Sequence, residues 1–156
     1  FEHVVPLVGR RALVVLVEEI HLVLDRLQQF VQQLACRLAE KAYGLGHKVY
    51  VQAADDNEAR QLDELLWTFS QGSFVPHALY KNPADIEANP VLIGHDEPPA
   101  DVHDVLVSLA PDVPPWFSRF ARVAELVGAD ESEKAGARER FRFYRERGYA
   151  LETHNL

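Results

Sequence analysis

The stretch KVYVQAADDNEARQLDELLWTF, Lys48 to Phe69, decides the fold class. Its first six residues, Lys48 to Ala53, are rich in β-branched and aromatic side chains and read as a strand. Asp55, with Glu58 three residues on, has the pattern of a capping box, in which each side chain takes an orphan N–H at the start of a helix. The helix it opens is expected over Asn57–Phe69. At 100° per residue, Leu65, Leu66 and Phe69 fall within about 60° of Leu62, a single apolar stripe. Trp67 lies about 140° away from Leu62, off that stripe.

Strand followed by helix recurs on either side. Upstream, Leu27, Phe30, Val31, Leu34 and Leu38 repeat at three and four residues, so a helix is expected over Leu27–Tyr43, with Asp25 as N-cap and Gly44 or Gly46 as stop. Two apolar runs before it, Ala12–Val17 and Ile20–Leu24, compete for the first strand. Downstream, strands are expected over Phe74–His77, Val91–Gly94 and Val105–Leu109, separated by prolines. Pro114 and Pro115 open a short helix through Phe120. Arg122–Val127 suits either a final strand or a continuation of that helix, and Glu131–Arg147 is the last helix, stopped at Gly148. Such alternation argues for an α/β protein in three layers, a mostly parallel or mixed sheet flanked by helices.

The 156 residues are expected to form one domain, 1–156, with residues 1–19 unassigned. A hydrophobic content of 47% with 26% charged residues is that of a globular protein. The lone Cys36 excludes an internal disulfide and suits a reducing cytoplasm. The apolar run Ala12–Val17 is too short to span a membrane and is followed at once by Glu18 and Glu19. A cytoplasmic protein with no membrane association is expected. The sequence has no methionine and begins at Phe1, so Phe1 is not expected to be the translational start.

Net charge is −8, which disfavours broad binding to nucleic acid. The charge is uneven. Between Lys134 and Arg147 six cations face two carboxylates, so that segment carries +4 and the rest of the chain −12. Lys134, Arg138, Phe141 and Arg145 share one helical face about 60° wide, with Ala137 and Tyr144 on the side expected to meet the sheet. Cations bracketing a ring suit a carboxylate next to an apolar group. The same spacing also suits a solvated face with weak intrahelical pairs. Trp67 has two readings as well, an interface residue or a ring packed under a second layer. Phe74 by itself reads as part of a buried strand.

Three segments in this order, LDELLW at 62–67, SFVPH at 73–77 and RERFRFYRERGY at 138–149, resemble the chi subunit family of bacterial DNA polymerase III. The resemblance covers roughly Leu34 to Tyr149. It implies a Rossmann-like fold without a nucleotide site, and a non-catalytic accessory subunit that ties the clamp loader to single-stranded DNA-binding protein. It implies two partners, the acidic C-terminal tail of that protein and a small psi subunit, with only indirect contact to single-stranded DNA. The residues matching the family's tail-binding positions are Trp67, Phe74, Val127, Lys134, Arg138 and Phe141. Phe141 stands where some members have tyrosine, which keeps the apolar wall and drops the hydroxyl. For the psi contact, the N-terminal region and the sheet edge away from the last helix are candidates.

Other chemistry finds little support. The eight glycines form no phosphate-binding loop, and Gly44-Leu45-Gly46 falls between helix and strand, the wrong order for a dinucleotide turn. His95, Asp101, His103 and Asp104 lack characteristic metal-ligand spacing, and His77 reads as a hydrogen-bonded turn histidine. No cofactor or metal is expected. Two alternatives remain, a single-stranded nucleic-acid-binding domain stacking bases on Trp67, and a small nucleotide-dependent α/β enzyme.

Overall fold

A computed structural model describes residues 13–18, 24–70, 74–81, 89–127 and 131–155. The elements are β1 (Leu13–Glu18), α1 (Leu24–Gly44), β2 (Val49–Gln52), α2 (Asp56–Thr68), β3 (His77–Leu79), β4 (Val91–Gly94), β5 (Val105–Ser108), a 3-10 turn (Phe117–Arg119), β6 (Arg122–Val127), α3 (Glu131–Glu146) and β7 (Ala150–Asn155). The seven strands form one sheet in the order β3-β4-β2-β5-β6-β1-β7. Each described pairing is parallel.

A parallel sheet with helices on both faces must bury both sides of its strands, which then read as continuous apolar runs. Every residue of β2, β4 and β5 is indeed buried. Alternation divides them between two cores. Val49, Val51, Val91, Ile93, Val105, Val107, Ala124 and Leu126 pack with Leu34, Leu38 and Ala42 of α1 and Ala59, Leu62 and Leu66 of α2. Tyr50, Leu92, Leu106 and Val123 face the other way, against Phe117, Phe120 and Tyr144 of α3. The expected three layers are therefore present.

Which face each helix covers follows from the direction of its crossover. From β1 to β2 and from β2 to β3 the chain moves toward the β3 edge, while from β5 to β6 and from β6 to β7 it moves toward the β7 edge. Right-handed crossovers in opposite directions land on opposite faces. Hence α1 and α2 share one face and α3 lies on the other.

The capping pattern at α2 forms as expected. Asp55 accepts from the Glu58 amide at 2.8 Å, and Glu58 accepts from the Ala54 amide at 2.9 Å. Gly46 and Gly148, after α1 and α3, adopt φ of 86° and 80°, a left-handed turn that glycine takes without a Cβ clash.

Several boundaries differ from the sequence expectation. α1 already includes Asp25, so that residue does not cap it. The first strand is β1, close to the Ala12–Val17 alternative. Residues 1–12 and 19–23, which include most of Ile20–Leu24, lie outside the described residues. The strand expected over Phe74–His77 instead spans His77–Leu79. Pro76 has no N–H for the ladder, and its carbonyl receives the Val91 amide at 3.4 Å as pairing begins. Arg122–Val127 is a strand, and β7 was not foreseen at all.

Candidate functional site

β2 and β5 are neighbours whose onward connections leave on opposite faces, and open α/β sheets bind ligands at the strand ends beside such a reversal. Here that crevice holds the indole of Trp116, whose Nε1 donates to Gln52 Oε1 at 3.0 Å. Gln52 in turn donates to the His95 carbonyl at 2.9 Å. A nucleotide there would have to displace this hydrogen-bonded stopper. Of the histidines considered as ligands, His95 lies near two carboxylates, Asp56 and Asp96, and His103 near one, Asp104. No group of three metal-ligating side chains occurs among the described residues.

α3 meets the sheet through Ala137 and Tyr144, 2% and 0% exposed. Beneath it lies an ionic contact that the sequence reading missed. Glu125, buried in β6, accepts from Arg140 Nε at 2.5 Å and from the Tyr144 hydroxyl. Arg140 also donates to the Pro111 carbonyl. Burial, with the Glu125 carboxylate beside it, pushes the Tyr144 hydroxyl well above the ordinary tyrosine range. The signal in the sequence was a single carboxylate within RVAELV, a strand otherwise suited to burial.

This contact sorts the cations of α3. Arg140 is neutralised inward, Arg142 pairs with Glu139 at 3.4 Å, and Arg147 lies 3.6 Å over the Phe143 ring. Lys134 and Arg138 point to no carboxylate among the described residues, and neither does Arg145, whose guanidinium stands 4.9 Å over the half-buried ring of Phe141. The face expected from spacing is thus present, with Phe141 leaning on Ala137. Val127 ends β6, from which the chain leads into α3.

Trp67 and Phe74 form a different surface. Trp67 stands off the buried stripe of α2 and is 58% exposed; Phe74 is 63% exposed. Their ring centroids are 5.8 Å apart. Phe74 is therefore not the buried strand residue that its context suggests. Below the indole, at 4.6 Å, lies the ring of buried His77.

The structure does not bring all six candidate residues into one groove. α2 packs beside β3 and β4 on one face, and α3 beside β6, β1 and β7 on the other. Trp67 closes α2 and leads to the start of β3, whereas Lys134 and Arg138 follow the far end of β6. Lys134 therefore starts from the opposite end of the sheet to Trp67, and α3 runs back along the sheet from there through Arg138 to Arg145. The two sets differ in face and edge: Trp67 with Phe74 beside β3, and Lys134, Arg138 and Phe141 on α3.

The model of the DNA polymerase III chi subunit family matches residues 20–152. The chain belongs to that family. It is 45% identical over 124 residues to the DNA polymerase III subunit chi of Pseudomonas aeruginosa, covering 80% of this chain and 85% of the relative. The subunit chi of Escherichia coli is 32% identical over 123 residues, 79% of this chain and 84% of that protein. That of Haemophilus influenzae is 30% identical over 132 residues, 81% and 88%. The three segments that carry the resemblance, 62–67, 73–77 and 138–149, all fall inside the matched span. No helix among the described residues is long and apolar enough to cross a membrane.

Proposed function

We propose that this chain is a cytoplasmic, non-catalytic accessory subunit of the replicative polymerase, with two docking surfaces for two partners. Family membership supports the replication role. The observation that carries the rest is the separation of a cationic surface on α3 from an aromatic one at the β3 edge.

The α3 surface suits the acidic C-terminal tail of single-stranded DNA-binding protein. Arg138 offers a planar fork to the terminal carboxylate, and Phe141 offers a wall for the apolar side chain that carries it. Lys134 and Arg145 extend the positive row on either side, about 16 Å from end to end at 1.5 Å per residue. That length matches about five residues of extended peptide. Val127 ends β6, the strand from which the chain passes into α3.

The Trp67–Phe74 surface suits the psi subunit, which would join this chain to the clamp loader. It lies at the sheet edge away from α3 and presents two adjoining rings, the composition of a protein–protein hot spot. One protein could then hold both partners at once without steric conflict.

The test is a titration of a synthetic acidic tail peptide against wild type and Arg138→Ala. A loss of affinity of about 30-fold or more is expected in the variant. Equal affinities would remove the assigned site.

A further inference from the structure

The sheet has two edges, β3 and β7, and they are built differently. β3 is three residues long, with Pro76 directly before it and Lys81 two residues after it, features that blunt an edge against further pairing. β7 is six residues long and contains neither proline nor lysine. Among the described residues its pairing is with β1 alone. In a strand paired on one side, every second residue turns its N–H and C=O outward. β7 thus presents an open ladder about 20 Å long at 3.3 Å per residue.

The cationic row of α3 opens toward this edge. α3 lies over β6, β1 and β7, and Ala137 and Tyr144 are its buried line of contact. At 100° per residue, Arg140 and Phe143 stand about 50–110° to one side of that line. This is the β5 side, because Arg140 donates to the carbonyl of Pro111, just after β5, and Phe143 packs on Phe117, between β5 and β6. Lys134, Arg138, Phe141 and Arg145 stand about 50–110° to the other side, which in the strand order is the β7 side. The row advances by four, three and four residues, about 6, 4.5 and 6 Å along the helix. Side chains on one face of an extended strand recur about every 6.7 Å, so a strand beside the row stays nearly in step with it.

We propose that the acidic tail is taken up as an extra strand on the outer edge of β7, with every second side chain turned toward Lys134, Arg138, Phe141 and Arg145. Charge selects the occupant: the three cations meet no carboxylate among the described residues, so a chain laid on this edge must bring its own. The inference rests on the assignment of the tail to α3 made above, and it adds the backbone of β7 as the second wall of that site. Main-chain pairing then supplies affinity while α3 reads alternate side chains. An acidic helix would match the cations equally well, but its N–H and C=O groups are already used within it.

Amide hydrogen exchange of the protein, followed residue by residue with and without a synthetic acidic tail peptide, tests the added strand. Every second amide of Ala150–Asn155 should slow on binding, while those between, already bonded to β1, stay as they were. Peptides N-methylated at one amide at a time should lose affinity about three- to tenfold at alternate positions and keep it at the positions between. Tail binding that depends on Arg138 but slows no β7 amide would overturn the added strand and leave the tail site on α3 standing. N-methyl losses without alternation would overturn it too. Equal affinity of wild type and Arg138→Ala would instead remove the assignment to α3, and the added strand with it.

Discussion

The end of α2 and the exposed face of α3 display aromatic side chains in opposite ways. On α3 the ring is half-buried, leaning on Ala137, and the charges stand out around it. At the end of α2 the rings stand out, and the polar group, His77, is buried beneath them. A ligand of the first surface must bring negative charge and is held through water-exposed ion pairs. A ligand of the second must bring apolar area and is held by its removal from water. Two such surfaces on one chain can therefore be tuned independently, because salt and charge act mainly on one of them.

The largest effect that would sharpen this contrast lies under α3. Removing Arg140 strands the buried Glu125 carboxylate, and breaking such a pair costs about 3–5 kcal/mol. Urea unfolding of Arg140→Ala should show a loss of that size. A change below about 1 kcal/mol would mean that the pair does not fasten α3 to the sheet.

Next come the surface anchors. Arg138→Ala should weaken the acidic tail peptide by about 2–4 kcal/mol and leave psi binding unchanged, while Trp67→Ala should do the reverse. If either substitution weakened both partners alike, the two surfaces would act as one. Calorimetry on the two single variants decides it.

Salt should separate the surfaces more gently. Screening length falls from about 10 Å at 0.1 M to about 3 Å at 1 M, so tail affinity should drop across that range. Binding at Trp67 and Phe74 should hold steady. Equal salt slopes would break the contrast.

The smallest effect concerns the helix that holds Trp67. Asp55→Ala removes the cap of α2 and should cost about 1 kcal/mol of stability, without altering tail affinity. Thermal unfolding reads this directly.

Much of each surface was legible in the sequence. The angle of Trp67 from Leu62 put it off the apolar stripe, leaving open whether a second layer covered it, and the spacing of Lys134, Arg138, Phe141 and Arg145 predicted their shared face. Both follow from the 3.6-residue period, which depends on local chain geometry alone. How the two helices lie relative to each other was not legible. It depends on which way the chain turns after β2 and after β6, a property of strand order and not of any helix. β7 was missed because ALETHN, at the sheet's edge, carries Glu152, Thr153, His154 and Asn155 where an inner strand would be apolar. His77 was read correctly as a hydrogen-bonded histidine, but which carbonyls it meets needed the fold.

The separation of the two surfaces can be tested most directly by titrating isotopically labelled protein with the acidic tail peptide and following amide and indole signals. Shifts are expected along Lys134 to Arg145, with the Trp67 indole N–H unmoved at saturation. Movement of the Trp67 indole as large as that of the Arg138 amide would place both surfaces in one cleft and contradict the account.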